Sequence, residues 1–139
     1  MTATTAMPAE TAIFHPEQRA DHGYFRLWGT RGSIPVSGPN YARHGGNTSC
    51  MEICCGADRI IFDAGSGIRE LGLSVMAEPP HKVHLFITHT HWDHIQGFPF
   101  FLPSFVPGFA IDVYAPPNID TDIESIFRGQ LDRAYFPVQ

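Results

Sequence analysis

The stretch Phe86-Ile87-Thr88-His89-Thr90-His91-Trp92-Asp93-His94 limits the folds open to this chain more than any other. An apolar run ends abruptly there in three histidines and an aspartate within six residues. Residues 82–88 read as a strand apolar enough to be buried on both faces. The ligand-type residues therefore fall where α/β sheets place binding groups, just past the end of a buried strand. Imidazole nitrogen and carboxylate oxygen are the donors that zinc and the neighbouring transition metals take. Extended residues at i and i+2 point the same way, so His89 and His91 can grip one ion. A turn at Trp92 into a helix begun by Ile95 would send Asp93 and His94 out in another direction, toward a second ion. Two ions ~3.5–4 Å apart, bridged by hydroxide, polarise a substrate oxygen and lower the pKa of the attacking water, which is the arrangement of a hydrolase.

The rest of the chain is read around that strand. Residues 1–23 mix Thr, Ala, Pro and Glu without a sustained period; they are expected to form a flexible leader holding His15 and His22 in solvent. Residues 24–139 then form one domain. A first strand is expected at 24–28, stopped by Gly29. The loop 29–49 carries too many glycines and prolines for helix or strand, and two readings of it stand side by side. In one, glycine-freed backbone N–H groups and the side chains of Ser33, Asn47, Thr48 and Ser49 approach an anion, with Arg31 as a charged fork. In the other, the segment is a turn-rich connection and His44 is a surface residue.

Residues 49–54 and 59–62 flank Gly56-Ala57-Asp58 as a hairpin. Asp63, ending the second of these strands, either caps the helix expected over 68–77 or supports a metal ligand from behind. That helix lines up Ile68, Leu71 and Val75 and stops at Pro79-Pro80. His84 reads as a buried, hydrogen-bonded core histidine. Phe98 through Pro103, with Phe105, either line a substrate entrance or fill the core, and large aromatic area favours the core. One more strand is expected at 110–114, followed by an amphipathic helix over 120–133 with Ile123, Ile126, Phe127 and Leu131 inward. Cys50, Cys54 and Cys55 cannot all pair within the chain, and they read as reduced, buried strand residues.

Charge and hydropathy remove some classes. With Lys+Arg 9 against Asp+Glu 14, a net charge of −5 and a pI near 5.8, the chain offers no basic footprint for a polyanion. Nucleic acid is therefore a disfavoured partner and a small molecule the expected substrate. No basic n-region with an apolar core opens the chain, and no run of ~18 apolar residues follows, so no membrane partner and a cytoplasmic location are expected.

The cluster His-X-His-X-Asp-His, complete at His89, His91, Asp93 and His94, resembles the motif of the metallo-β-lactamase fold superfamily. Phe62-Asp63-Ala64-Gly65 resembles that superfamily's strand-ending aspartate motif. Gly29-Thr30-Arg31-Gly32-Ser33 is similar to the N-terminal glycine loop of its phosphodiesterase branches, among them ribonuclease Z and cyclic-nucleotide phosphodiesterases. Gly46-Asn47-Thr48-Ser49-Cys50 and the run from His91 to Phe101 resemble a bacterial subgroup of hydrolases described only at superfamily level. The resemblance covers about residues 25–138.

It implies an α/β fold, the αββα sandwich with a mixed sheet and flanking helices, and two metals, usually zinc with manganese or iron as alternatives. His89 and His91 would then serve the first ion and Asp93 and His94 the second, the latter pair being the catalytic residues, while Asp63 supports them from behind. In the phosphodiesterase members the metal-bridging hydroxide attacks phosphorus. Thioester or lactone cleavage on the same fold is the alternative chemistry. Ribonuclease Z activity itself is not expected, given the acidic charge and no evident RNA-gripping arm.

The remaining ligands of such a site, a third histidine, a bridging aspartate and a last histidine, would come from the second half of the fold. After His94 this sequence has no histidine, and Asp112, Asp120, Asp122 and Asp132 sit in no recognisable bridging motif. The expectation is thus an N-terminal half-domain. It is either a portion of a longer hydrolase lacking its C-terminal half, or a half that pairs as a homodimer or with a partner chain. A non-catalytic metal-binding module is the alternative to the enzyme.

Overall fold

A computed structural model describes residues 23–77, 82–117 and 122–137. The leader expected over 1–23, except Gly23, lies outside them, as do His15, His22, Pro79, Pro80 and Asp120. Five strands form one mixed sheet in the order β1-β2-β3-β4-β5. They are β1 Tyr24–Gly29, β2 Cys50–Cys55, β3 Asp58–Phe62, β4 Lys82–Phe86 and β5 Ile111–Tyr114. The first three run antiparallel, and Gly56, at φ 65°, closes the β2–β3 hairpin in the left-handed region that glycine adopts without strain. β3, β4 and β5 are parallel, joined on one side by α1 Ile68–Ala77. Because β3 and β4 are parallel, both deliver their C-terminal ends, Asp63 and the 88–94 loop, to the same edge of the sheet.

Alternation sorts each strand onto two faces. One face is the core: Cys50, Ile61, Val83 and Leu85 are buried against Ile68, Leu71 and Val75 of α1, the stripe predicted from the helical period. α3, Ile123–Gln130, adds Phe127, whose ring stacks on Phe98 at 4.0 Å. The N-terminus of α3 is capped by Asp122, which accepts from the Ser125 hydroxyl and from the Ser125 N–H, and these bonds, the hydroxyl first, keep its carboxyl below the usual carboxylate value. The aromatic run splits between the two roles weighed for it. Phe98, Pro99, Phe101 and Pro103 are buried, whereas Phe100 and Leu102 face out.

The opposite face of the sheet stays open. Phe25 and Leu27 are 61% and 54% exposed, and Phe62, Phe86 and Tyr114 stack side by side at 5.4 and 4.5 Å. Two sequence expectations change on this face and at the hairpin. His84 is not a core histidine: it stands half-buried on the open face, 3.4 Å from the Tyr114 hydroxyl, because its place in the alternation is that of Phe86 rather than Leu85. Of the three free cysteines only Cys50 is buried; Cys54 is half-buried and Cys55, beside the turn, is exposed.

Candidate metal centre

The site is built at the C-terminal edge of β3 and β4. Its geometry begins with Asp63, which is 4% exposed and held at φ 63°, a left-handed conformation that aspartate tolerates better than most residues. Its backbone N–H bonds the Phe86 carbonyl across the sheet, so the turn stays registered with the end of β4. The carboxylate accepts from the Thr88 N–H at 2.8 Å, from the Thr88 hydroxyl at 2.9 and 3.0 Å and from the Ser49 hydroxyl at 3.3 Å. His94 Nδ1 completes the set at 2.7 Å. Asp63 therefore serves His94 rather than capping α1.

Counting protons along this network fixes two tautomers. An ionised carboxylate only accepts, so the proton between Asp63 and His94 belongs to Nδ1 and leaves the lone pair of His94 on Nε2. The Thr88 hydroxyl has one hydrogen, directed at Asp63; its contact with His89 Nδ1 at 3.1 Å must then be a donation from the imidazole. His89 likewise presents a bare Nε2. A carboxylate or hydroxyl behind the distal nitrogen is the usual way a metal-binding histidine is oriented and made more basic.

Asp93 and His94 sit on α2, Trp92–Ile95, with His91 as its N-cap. The helix thus starts three residues earlier than the sequence suggested. The Ser33 N–H bonds Asp93 Oδ2 at 2.9 Å and, ahead of the neighbouring His94 and His89, holds that carboxyl below the ordinary carboxylate value. His94 Nε2 lies 3.6 Å from Asp93 Oδ2, and the His89 ring is 4.0 and 4.6 Å from those of His94 and His91. All four predicted ligands thus gather at one place. Among the described residues, however, no group of three or more His, Cys, Asp or Glu side chains is arranged to hold an ion. The donor chemistry fits a transition metal as two pairs, each needing further ligands.

The loop residues proposed for substrate contact separate into two sets. Asn47, Thr48 and Ser49 bind inward. Thr48, fully buried, exchanges hydrogen bonds with Ser66, and its hydroxyl accepts from Gln96 Nε2 at 3.2 Å. Asn47 accepts from Ser66, and Ser49 donates to Asp63. These bonds tie the loop to the Asp63 turn and to α2. Gly65 lies where the three segments cross: a Cβ there would strike the Asp93 carbonyl, Thr48 Oγ1 and the Ser49 carbonyl, so only glycine fits. Arg31 and Ser33 instead line an open polar cavity of about 440 Å³ together with Asn40, Tyr41, Arg43 and His44. Sequence reading passed over Asn40, Tyr41 and Arg43, whose only signal was their polarity within a glycine-rich loop, and had His44 on the surface, where it stands exposed.

A second cavity, about 480 Å³, opens on the other side of α2 between Trp92, Gln96, Phe100, Gln130 and Tyr135. Trp92 stands 62% exposed at its wall. Gln130 donates to the Ile95 carbonyl at 3.1 Å, and its buried Oε1 has no partner.

No family model matches the chain. Among curated proteins it is similar to ribonuclease Z of Lactobacillus johnsonii, at 30% identity over 82 residues, and of Methanococcus aeolicus, at 30% over 105. Ribonuclease Z of Synechococcus sp. (strain CC9311) shares 26% over 113 residues. These matches take in 57%, 72% and 79% of this chain but 26%, 30% and 34% of the relatives, so the chain spans about a quarter to a third of their length. Among solved structures, the short form of human tRNase Z superposes with a TM-score of 0.53 at 20% identity, over 83% of this chain and 41% of the other.

The chain carries part of a metallo-β-lactamase-type fold. The metallo-β-lactamase resemblance read from the motif, in its ribonuclease Z-like branch, therefore holds over the matched part, and with it the mixed α/β sheet with flanking helices. Metal ions belong to that fold. One expectation finds no support: relatives that are themselves named ribonucleases give no ground for disfavouring nucleic acid as a partner.

Proposed function

We propose that this chain supplies the His89, His91, Asp93 and His94 ligand set of a zinc-dependent hydrolase acting on phosphodiester bonds. The observation that carries the proposal is the proton network through Asp63 and Thr88, which leaves both His89 and His94 with a lone pair on Nε2 beside the Asp93 carboxylate. His89 and His91 would hold one ion and Asp93 and His94 the other, with manganese or iron as substitutes. Bound metal supplies Lewis-acid polarisation of the phosphoryl oxygen and a nucleophile at neutral pH. Asp63 keeps His94 in the metal-binding tautomer, and Ser33 keeps Asp93 ionised and oriented.

The open apolar face and the two-donor pairs support a site completed by further protein, either the remainder of a longer chain, a second copy or a partner. The same pairs favour, as a second reading, a metal-binding module that does not turn over by itself. A cytoplasmic location goes with the reading.

Zinc per chain, together with hydrolysis of bis-p-nitrophenyl phosphate, tests the proposal. Two zinc ions per site and turnover that His91→Ala abolishes are expected. Full turnover in His91→Ala would sink the assignment. Preferential hydrolysis of a thioester or lactone would move the chemistry to the alternative class.

A further inference from the structure

The 440 Å³ cavity in loop 29–49 is polar and open, and the charged residues that line it are basic. Arg31 and Arg43 line it with His44, Asn40 and Tyr41, and no carboxylate is among its lining residues. In a chain of net charge −5, two arginines among the lining residues of one concavity run against the average; the acid at its wall, Asp93, is engaged by the Ser33 N–H. Like charges confined together repel, so such an arrangement is expected to persist where an anion completes it.

Arg31 is already set in place. Its Nε donates to the Ile34 carbonyl at 3.1 Å and its guanidinium lies 5.0 Å from the centroid of the Tyr41 ring, which leaves the terminal nitrogens free to fork onto an oxyanion. The loop that carries Arg43 and His44 is held as well, because Gly45 donates to the Tyr41 carbonyl and Val36 to Gly46. The cavity also touches the metal loop. Ser33, in its wall, makes the 2.9 Å bond to Asp93, so a molecule reaching the Asp93–His94 pair passes beside this wall.

We propose that this cavity binds a phosphate group of the substrate other than the one that is cleaved, held by Arg31 and Arg43 and selecting substrates that carry two or more phosphates. The inference rests on the phosphodiester reading above. It also explains how an acidic chain handles a polyanion: the mean charge hides a local positive concavity at the place where it is needed.

Titration calorimetry on the metal-free chain separates this inference from catalysis. The probes are a thymidine dinucleotide with a single internal phosphate, its 5′-phosphorylated counterpart and inorganic phosphate, all at low salt. The phosphorylated dinucleotide is expected to bind about tenfold tighter than the plain one, in keeping with one added pair of charge-assisted hydrogen bonds. Arg43→Ala should erase that advantage and Arg43→Lys keep part of it. Arg43 is exposed, so these variants should fold, and in the wild-type chain the amide resonances of Gly32, Ser33 and Gly45 should shift with the phosphorylated ligand.

Equal binding of the two dinucleotides would overturn the proposal, as would an advantage that survives Arg43→Ala. Inorganic phosphate that binds without competing with the phosphorylated dinucleotide would overturn it too, since the added phosphate would then not occupy the site that takes the free ion. Failure of the phosphodiesterase reading would appear separately, as metal-loaded protein that cleaves no diester while the calorimetric preference stands.

Discussion

Two carboxylates are buried along the β2–β3 pair, Glu52 opposite Ile61 and Asp63 just past the end of β3, and they are satisfied in different ways. Glu52, fully buried on the core face, pairs with the Arg59 guanidinium and accepts from the Tyr24 hydroxyl at 3.1 Å and Trp28 Nε1 at 2.9 Å. Asp63, 4% exposed, pairs with no arginine or lysine among the described residues; it is held by a backbone amide, two hydroxyls and one imidazole. Glu52 is neutralised inside the fold and has nothing left to offer a ligand. Asp63 keeps its charge directed through His94 toward the edge where the other ligands stand. A buried carboxylate with its own cation reads as architecture, and one whose nearest cationisable group is a histidine reads as part of a site.

The largest expected effect breaks the architectural side of that contrast. Glu52→Ala strands Arg59, which is 4% exposed, in an apolar layer, and loss of one partner of a buried pair costs about 3–5 kcal/mol. Urea denaturation of the chain should show that loss, while the folded fraction keeps its zinc affinity. Lowered zinc affinity at unchanged stability would erase the distinction.

Asp63→Asn tests the other side. Asparagine tolerates the φ of 63° and keeps the hydrogen bonds to Thr88, but it can no longer hold His94 Nδ1–H with a full negative charge. Zinc affinity, measured by competition with a chromophoric chelator, should fall about 10–100-fold. Stability should change less than in Glu52→Ala. Ser49→Ala, which removes only the 3.3 Å bond to Asp63, should cost about 1 kcal/mol and leave zinc affinity within a few-fold. A Ser49→Ala effect as large as that of Asp63→Asn would mean the loop, and not the carboxylate charge, positions His94.

How much of this was legible in the sequence follows from the range of the forces involved. The ligand run at the end of β4, the α1 stripe and the strand-ending place of Asp63 depend on residues within a few positions of each other, and period and spacing report them directly. The network that selects the tautomers joins positions 14, 25 and 31 residues apart, so nothing local announced that Ser49 and Thr88 would meet His94 around Asp63. Loop 29–49 was ambiguous for the same reason. Asn47, Thr48 and Ser49 look identical in sequence whether they face an anion or, as they do, Ser66 and Asp63. The four-residue α2 is too short to register as a helical period, and for that reason its start was placed at Ile95 rather than Trp92. The arginine cavity went unseen because net charge averages over the surface that the fold later divides.

Cys50 lies between the two carboxylates and reads them both. Burial, then the charge of Glu52, then that of Asp63, push its thiol well above the usual range, so it carries almost no thiolate at pH 8. Cys55, exposed at the far end of the same strand, lacks that shielding. Iodoacetamide at pH 8 followed by mass spectrometry should therefore mark Cys55 first and reach Cys50 only when the sheet opens. Because burial is the leading cause, removing one charge alone should change Cys50 labelling little, whereas raising the frequency of opening should change it greatly. Glu52→Ala should then speed Cys50 labelling by the factor its stability loss implies, about a hundredfold or more, and Asp63→Asn should leave it near the wild-type rate. Equal acceleration in both variants would mean that Asp63 holds the fold together as Glu52 does, and that its link to His94 is a by-product of that task.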